Sequence, residues 1–303
     1  MGGGGAGGGG AGGASAGGGA GGQGGMAPEP YYTCPAGPFP EPEVGAVETL
    51  CQGFDYDFNY LEGPTYVKSQ NALYFSNFDI LQGTEGDIIK YTLGGQCERF
   101  TTNVGCNGLA VGVPGKLLAA CQQSRAVEAF ELTTKMPTTL ASMFMGKMLD
   151  TPNDLVVHTN GTIYFTNRLA ELDGRPQGHG TAVFYIDPQG VLKEIGKGDG
   201  NGIALSPDQR TLYVNNLGTW PLDENGVPGE KGDQLVGGDG LAVDCAGNLY
   251  ESGGAIKNPQ GQNIGNFPGG TNMAFGGPDG KTLFVVSGGS NVRAIQMNVP
   301  GIP

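Results

Sequence analysis

The sequence predicts an all-β fold, a six-bladed β-propeller, and three observations predict it. The stretch Thr151 to Thr166, TPNDLVVHTNGTIYFT, joins two short apolar runs through the polar turn Thr159-Asn160-Gly161, the pattern of a β-hairpin. Loose copies start at Gly105, Gly200, Gly238 and Thr271, with a more divergent one at Leu61, which makes six units. An acid or amide stands just ahead of or within the first run each time. These residues are Glu62, Asn107, Asn153, Asn201, Asp239 and Asn272, about 33 to 48 positions apart, the spacing of propeller blades rather than of helical solenoids. Blades are arranged radially about a channel, so equivalent positions face one axis and these six residues are expected to converge as a polar, oxygen-rich ring.

Residues 1–26 are almost wholly Gly, Ala and Ser, carry no apolar face, and are expected to be a disordered tail. Residues 27–50, rich in Pro and Glu, read as an extended lead-in over the surface, and 51–303 as the propeller. Removing 26 residues from 303 leaves 277, about 46 for each of six blades. Asp87 to Tyr91 reads as an outer strand of the first blade. Thr133 to Leu149, with Met136, Met143, Met145 and Met148, reads as a connection able to hold a helical turn. Ala170 to Gly180 lacks an apolar run and reads as a loop. Thr181 to Ile186 and Val191 to Ile195 form a hairpin around Asp187-Pro188-Gln189-Gly190, Trp220 to Gly232 a long connection, and Val292 to Met297 the last strand.

The net charge of −13 argues against a nucleic-acid partner, which needs clustered Lys and Arg, and suits a protein that attracts cations. No stretch approaches the roughly 18 consecutive apolar residues of a membrane-spanning helix. The expected partner is a small-molecule substrate, met by a monomer. Of the six cysteines, Cys34 with Cys51 and Cys97 with Cys106 are near enough in sequence to close small loops. Disulfides would place the protein in an oxidising compartment. A Gly-rich tether often follows the lipid-bearing cysteine of an exported bacterial protein, so an extracytoplasmic location is expected. His158 reads as a surface residue at a turn tip. His179 reads as a residue of the loop Gln177-Gly178-His179-Gly180, with reach to the pocket mouth as the lesser alternative, and neither histidine sits in a Ser-His-Asp pattern.

Leu61-Glu62-Gly63-Pro64, Pro152-Asn153-Asp154-Leu155, the run from Asn201 to Asp208 (NGIALSPD), that from Asp239 to Asp244 (DGLAVD), and the ending TNMAFGGPD from Thr271 together resemble the gluconolactonase and senescence-marker-protein (regucalcin) family of six-bladed propellers. The resemblance covers roughly residues 52 to 301. It implies a divalent cation in the channel, held by Glu62, Asn153, Asn201 and Asp239. Two carboxylates and amide oxygens form a hard oxygen site suited to Ca²⁺ first, with Mg²⁺, Mn²⁺ and Zn²⁺ as alternatives.

The activity implied is hydrolysis of a lactone or related small ester, the cation polarising the carbonyl and activating water. In that reading Asp239 is ligand and general base, Asn107 and Arg125 contact substrate, and Asp154 orients Asn153 or a water. Asn272 and Asp244 read as turn or local backbone partners. Asn167-Arg168 and Cys121-Gln122-Gln123 depart from the family's pattern at the pocket mouth, which leaves the substrate open. Two other functions fit the same motifs. One is a phosphotriesterase of the diisopropyl-fluorophosphatase type, to which Gly105-Cys106-Asn107 bears a likeness. The other is a non-catalytic, exported propeller that binds calcium or a ligand.

Overall fold

The repeated hairpins fold into six antiparallel sheets set around one axis, the arrangement of a six-bladed propeller. The computed structural model describes residues 1–2, 33–78, 86–169, 177–289 and 291–302. The tail expected at 1–26 lies outside the described residues from position 3 on, as does the 170–176 part of the loop expected at Ala170 to Gly180.

The first blade runs Tyr60–Val67, Ala72–Phe78, Gly86–Thr92 and Cys97–Thr101, from the axis outward. The second runs Cys106–Ala110, Lys116–Cys121, Ala126–Glu131 and Pro137–Ala141. The third holds Thr151–Val157, Ile163–Arg168, Ala182–Ile186 and Leu192–Lys197. The fourth has three strands, Ile203–Leu205, Thr211–Val214 and Gly218–Pro221. The fifth holds Leu241–Asp244, Leu249–Glu251, Ala255–Lys257 and Asn263–Asn266. The sixth holds Asn272–Gly276, Thr282–Ser287 and Asn291–Met297.

Both ends of the chain close the ring. Val44–Thr49, inside the stretch expected as extended lead-in, is the outermost strand of the sixth blade, with Val47 opposite Ile295. Gly301–Ile302 pairs with the axial edge of the fifth blade, Ile302 opposite Val243. It therefore lies at the end of the channel away from the acid and amide positions, and an axial cavity of about 70 Å³ is lined by Asp154 and Asn272 of the ring as well as by Val157, Leu205 and Ile302.

What holds the blades together is visible in the core. Among the described residues, the buried apolar side chains fall into six clusters, one in each wedge between neighbouring blades. Tyr250 of the fifth blade meets Phe275 of the sixth edge to face at 5.1 Å, and Tyr66 of the first stacks on Phe284 of the sixth at 6.0 Å. Each fully buried aromatic of this kind stabilises the fold by about 2–3 kcal/mol relative to an exposed one.

Close approach at the axis depends on glycine. The residue after four of the six ring positions is Gly63, Gly108, Gly202 or Gly240. A Cβ at Gly63 would stand 2.2 Å from the Asn107 carbonyl oxygen, and one at Gly240 would stand 2.1 Å from Asn272 Oδ1. Each glycine thus lets one inner strand touch the next. Gly240→Ala is expected to destabilise the protein by about 3 kcal/mol, read as a lower urea midpoint.

Four further expectations need correction. Thr133 to Leu149 contains no helical turn: Pro137–Ala141 is the outer strand of the second blade, followed by a short hairpin of Met143–Phe144 and Lys147–Met148. Trp220, expected in a connection, lies in the third strand of the fourth blade and is buried. His158 is buried too, its Nδ1 accepting from the Asn160 backbone N–H at 3.1 Å. The cysteines pair as Cys34–Cys245, Cys51–Cys97 and Cys106–Cys121. Closeness in sequence did not decide these pairs. Cys106 and Cys121 are directly opposed in adjacent strands, and closure of the ring brings Cys34 to a residue 211 positions away.

Candidate active site at the propeller axis

Local irregularity aims the ring residues inward. In the first three blades the pairing of the innermost strand slips between Glu62 and Thr65, between Cys106 and Leu109, and between Pro152 and Leu155. Such bulges turn side chains that regular pleating would send to alternate faces, so Asn153 and Asp154 can both serve the channel end. In the fourth and fifth blades, Asn201 and Asp239 stand just ahead of the strand instead.

Hydrogen bonds run across the axis. Asn272 Nδ2 donates to Glu62 Oε2 at 3.0 Å and to Asp154 Oδ2 at 3.3 Å, while its Oδ1 accepts from the Met273 backbone. Asn201 Nδ2 donates to Asp239 Oδ1 at 2.6 Å, and the Tyr60 hydroxyl to Asp239 Oδ2 at 3.3 Å. The Thr166 hydroxyl joins the third and fourth blades, accepting from Asp154 N and donating to the Asn201 carbonyl. Asp239 is further held by its backbone, N–H to Ser252 Oγ at 2.7 Å and carbonyl to Asn215 Nδ2 at 2.8 Å.

The electrostatics are those of crowded acids. Burial, then the nearby Asp239 charge, pushes Glu62 well above the ordinary carboxylate range. Burial also raises Asp239, and it raises Asp154 to about 7. At the ring positions, the buried Glu62 Oε1 and Asn153 Oδ1 have no hydrogen-bond partner among the described residues. Leaving such groups unpaired costs free energy that a bound ligand can offset. Among the described residues, no three His, Cys, Asp or Glu groups form a metal-binding set, so a cation here would draw on amide oxygens as well. Carboxylates raised by burial and mutual repulsion, with spare hard oxygens beside them, fit a divalent cation.

In the cation-free protein, the folded state keeps up to about pH 7 a proton on Asp154 that the unfolded chain releases near 3.8. Native proton binding exceeds unfolded binding across that window, so stability falls as pH rises through it. Asp154→Asn is expected to remove its share of this slope, seen by comparing urea midpoints at about pH 5 and about pH 8.

Side-chain bonds join Asn272 to Glu62 and Asn201 to Asp239, and the other predicted residues have different surroundings. Asn107 is buried, and its carbonyl accepts from Ser76 Oγ at 2.5 Å. Arg125, expected to contact substrate, is buried, with Nε donating to the Leu149 carbonyl at 2.6 Å and a guanidinium nitrogen 3.2 Å from Asp150 Oδ1. Those bonds tie the top of the second blade to the third. His179 pairs with Glu194 at 2.5 Å and packs edge-on against Phe144. Asp244 caps its own turn, accepting from the Asn248 and Ala246 backbones.

The repeat marks Asn272 as a ring position, but its Nδ2 contacts to Glu62 and Asp154 go beyond the local backbone role expected of it, and Tyr60 is a partner that the repeat does not mark. Tyr60 carried no sequence signal, since only the folded first blade brings its hydroxyl to Asp239.

The fold and its axial acid and amide ring define a six-bladed propeller of the lactonase and regucalcin class. Residues 61–289 match the family described as SMP-30/Gluconolactonase/LRE-like region, and the chain belongs to that family. It is 31% identical to a gluconolactonase of Zymomonas mobilis over 291 aligned positions, 82% of this chain and 81% of that one. A Xanthomonas campestris gluconolactonase structure superposes with a TM-score of 0.73 at 22% identity, covering 90% of this chain and 98% of that one. A calcium-binding regucalcin of Agrobacterium tumefaciens superposes at 0.63 with 20% identity, covering 82% and 92%. These two structures share the fold.

Proposed function

We propose that the protein is a divalent-cation-dependent lactone hydrolase. The observation that carries this reading is the axial ring, which in a chain akin to a gluconolactonase sets two unpartnered buried oxygens, Glu62 Oε1 and Asn153 Oδ1, among crowded acids. Glu62, Asn153, Asn201 and Asp239 would hold the cation, and the calcium-binding regucalcin relative supports Ca²⁺ as the first choice. When bound, it supplies Lewis-acid polarisation of the carbonyl and lowers the pKa of water.

The chain's own residues do the rest. Asp239 takes a proton as water attacks the lactone carbonyl carbon, and returns it to the ring oxygen as the C–O bond breaks, leaving a hydroxy acid. Asn201 and Tyr60, each on one oxygen of Asp239, fix the plane of that carboxylate. Asn272 holds Glu62 and Asp154 through its two N–H bonds, which leaves Glu62 Oε1 directed to the ligand. Asn107, in the second blade's ring position, is offered to substrate oxygens.

Three disulfides support an oxidising compartment outside the cytoplasm as the place of action. The test is a pH-stat assay of a lactone panel with chelator-treated protein, adding back Ca²⁺, Mg²⁺, Mn²⁺ or Zn²⁺. Turnover restored by one cation supports the reading. Hydrolysis of an organophosphate with none of the lactones would replace it with the phosphotriesterase reading, and cation binding without turnover of either would replace it with a binding protein.

A further inference from the structure

We propose that the hairpin Met143–Met148 is a thioether site for a soft monovalent cation, copper(I). The hairpin joins the second and third blades on the face that bears the ring, and its two strands pair Met143 with Met148 and Phe144 with Lys147. Directly opposed residues of an antiparallel pair share a face, and successive residues alternate faces. Phe144 packs inward, its ring 5.1 Å from that of His179 and 5.2 Å from that of Phe184. Met143 and Met148 therefore project together on the outer face, and the Lys147 ammonium leaves from the other one.

Met143 is 54% exposed and Met148 44%, with Met145 at the turn 85% exposed. Three large side chains bearing thioether sulfur are thus exposed on one six-residue ribbon. The backbone beneath them is anchored. Leu149 N–H donates to the Ser142 carbonyl at the base, the Met148 carbonyl accepts from His179 N–H, and Leu149 is fully buried.

The chemistry selects the ion. Thioether sulfur is a soft donor that favours copper(I) over hard cations such as Ca²⁺. Two opposed methionines with a third at the turn supply the low coordination number such an ion accepts. No thiolate competes, because all six cysteines are in disulfides. Neither histidine competes well: His158 is buried and His179 is paired with Glu194. This site is separate from the axial ring and stands whether or not the lactonase reading does.

Silver(I), which has the same donor preference and no redox chemistry under assay conditions, is the probe. The intact protein in chloride-free buffer is titrated with silver nitrate by calorimetry. The wild type is expected to bind one silver ion at the hairpin, the double variant M143L/M148L to bind it at least about tenfold more weakly, and M136L to match the wild type. Methyl-labelled methionine NMR of the wild type gives an independent reading, in which silver should shift Met143, Met145 and Met148 and leave buried Met273 and Met297 unmoved. Equal silver binding by wild type and M143L/M148L, or silver shifts confined to other methionines, would overturn the proposal.

Discussion

Asp239→Asn is expected to lower kcat/KM for lactone hydrolysis by about 10³-fold, the scale of losing a positioned general base. The substitution keeps the shape of the side chain, so Asn201 can still donate to the oxygen at Oδ1. The Tyr60 hydroxyl, now facing an amide nitrogen, can accept instead of donate. Backbone bonds to Ser252 and Asn215 are untouched. The variant should therefore unfold at a urea concentration close to that of the wild type. A variant that folds and keeps most of its activity would remove Asp239 from the mechanism.

The second large effect is expected at Glu62, where stability and activity should move in opposite directions. In cation-free protein at about pH 8, Glu62→Gln is expected to be more stable than the wild type by about 1 kcal/mol, because an amide has no charge for burial to oppose. The sign follows from the raised carboxyl: its folded form holds a proton that the unfolded form has lost, so the wild type loses stability as pH climbs toward and through the folded value. With saturating Ca²⁺ the order should reverse. Ligand at about 100 times its Kd adds about 2.7 kcal/mol, which for a domain of this size raises Tm by roughly 5–10 °C in the wild type and little in the variant. Calorimetric melts with and without Ca²⁺, beside the lactone assay, measure both halves. A cation-induced rise of equal size in Glu62→Gln would mean that the cation binds elsewhere.

Most of the axial ring was legible because a propeller repeats one unit, so a residue type recurring ahead of one strand predicts its neighbours around the axis. Glu62, Asn107, Asn153, Asn201, Asp239 and Asn272 were all marked in this way. The repeat says where a residue sits, however, and not which groups it meets. Asn272 was discounted because an amide before a strand often bonds only its own backbone. It does so through Oδ1, but its Nδ2 also reaches two carboxylates that arrive from the first and third blades. Arg125 shows the converse: a cation next to a predicted pocket was offered to substrate, while the fold buries it against Asp150 at the join of two blades.

By itself the sequence determined the class of architecture, the blade count, and which acid and amide positions recur from blade to blade. Hairpin periodicity, turn chemistry and repeat length are local properties, and they are written along the chain. Only the tertiary structure decided the cysteine pairs, the placing of Val44–Thr49 in the last blade, the Tyr60 contact to Asp239, and the burial that raises the three carboxyls. Each of these depends on segments far apart in sequence meeting when the ring closes. Both desolvation and the repulsion between acids arise only from that meeting.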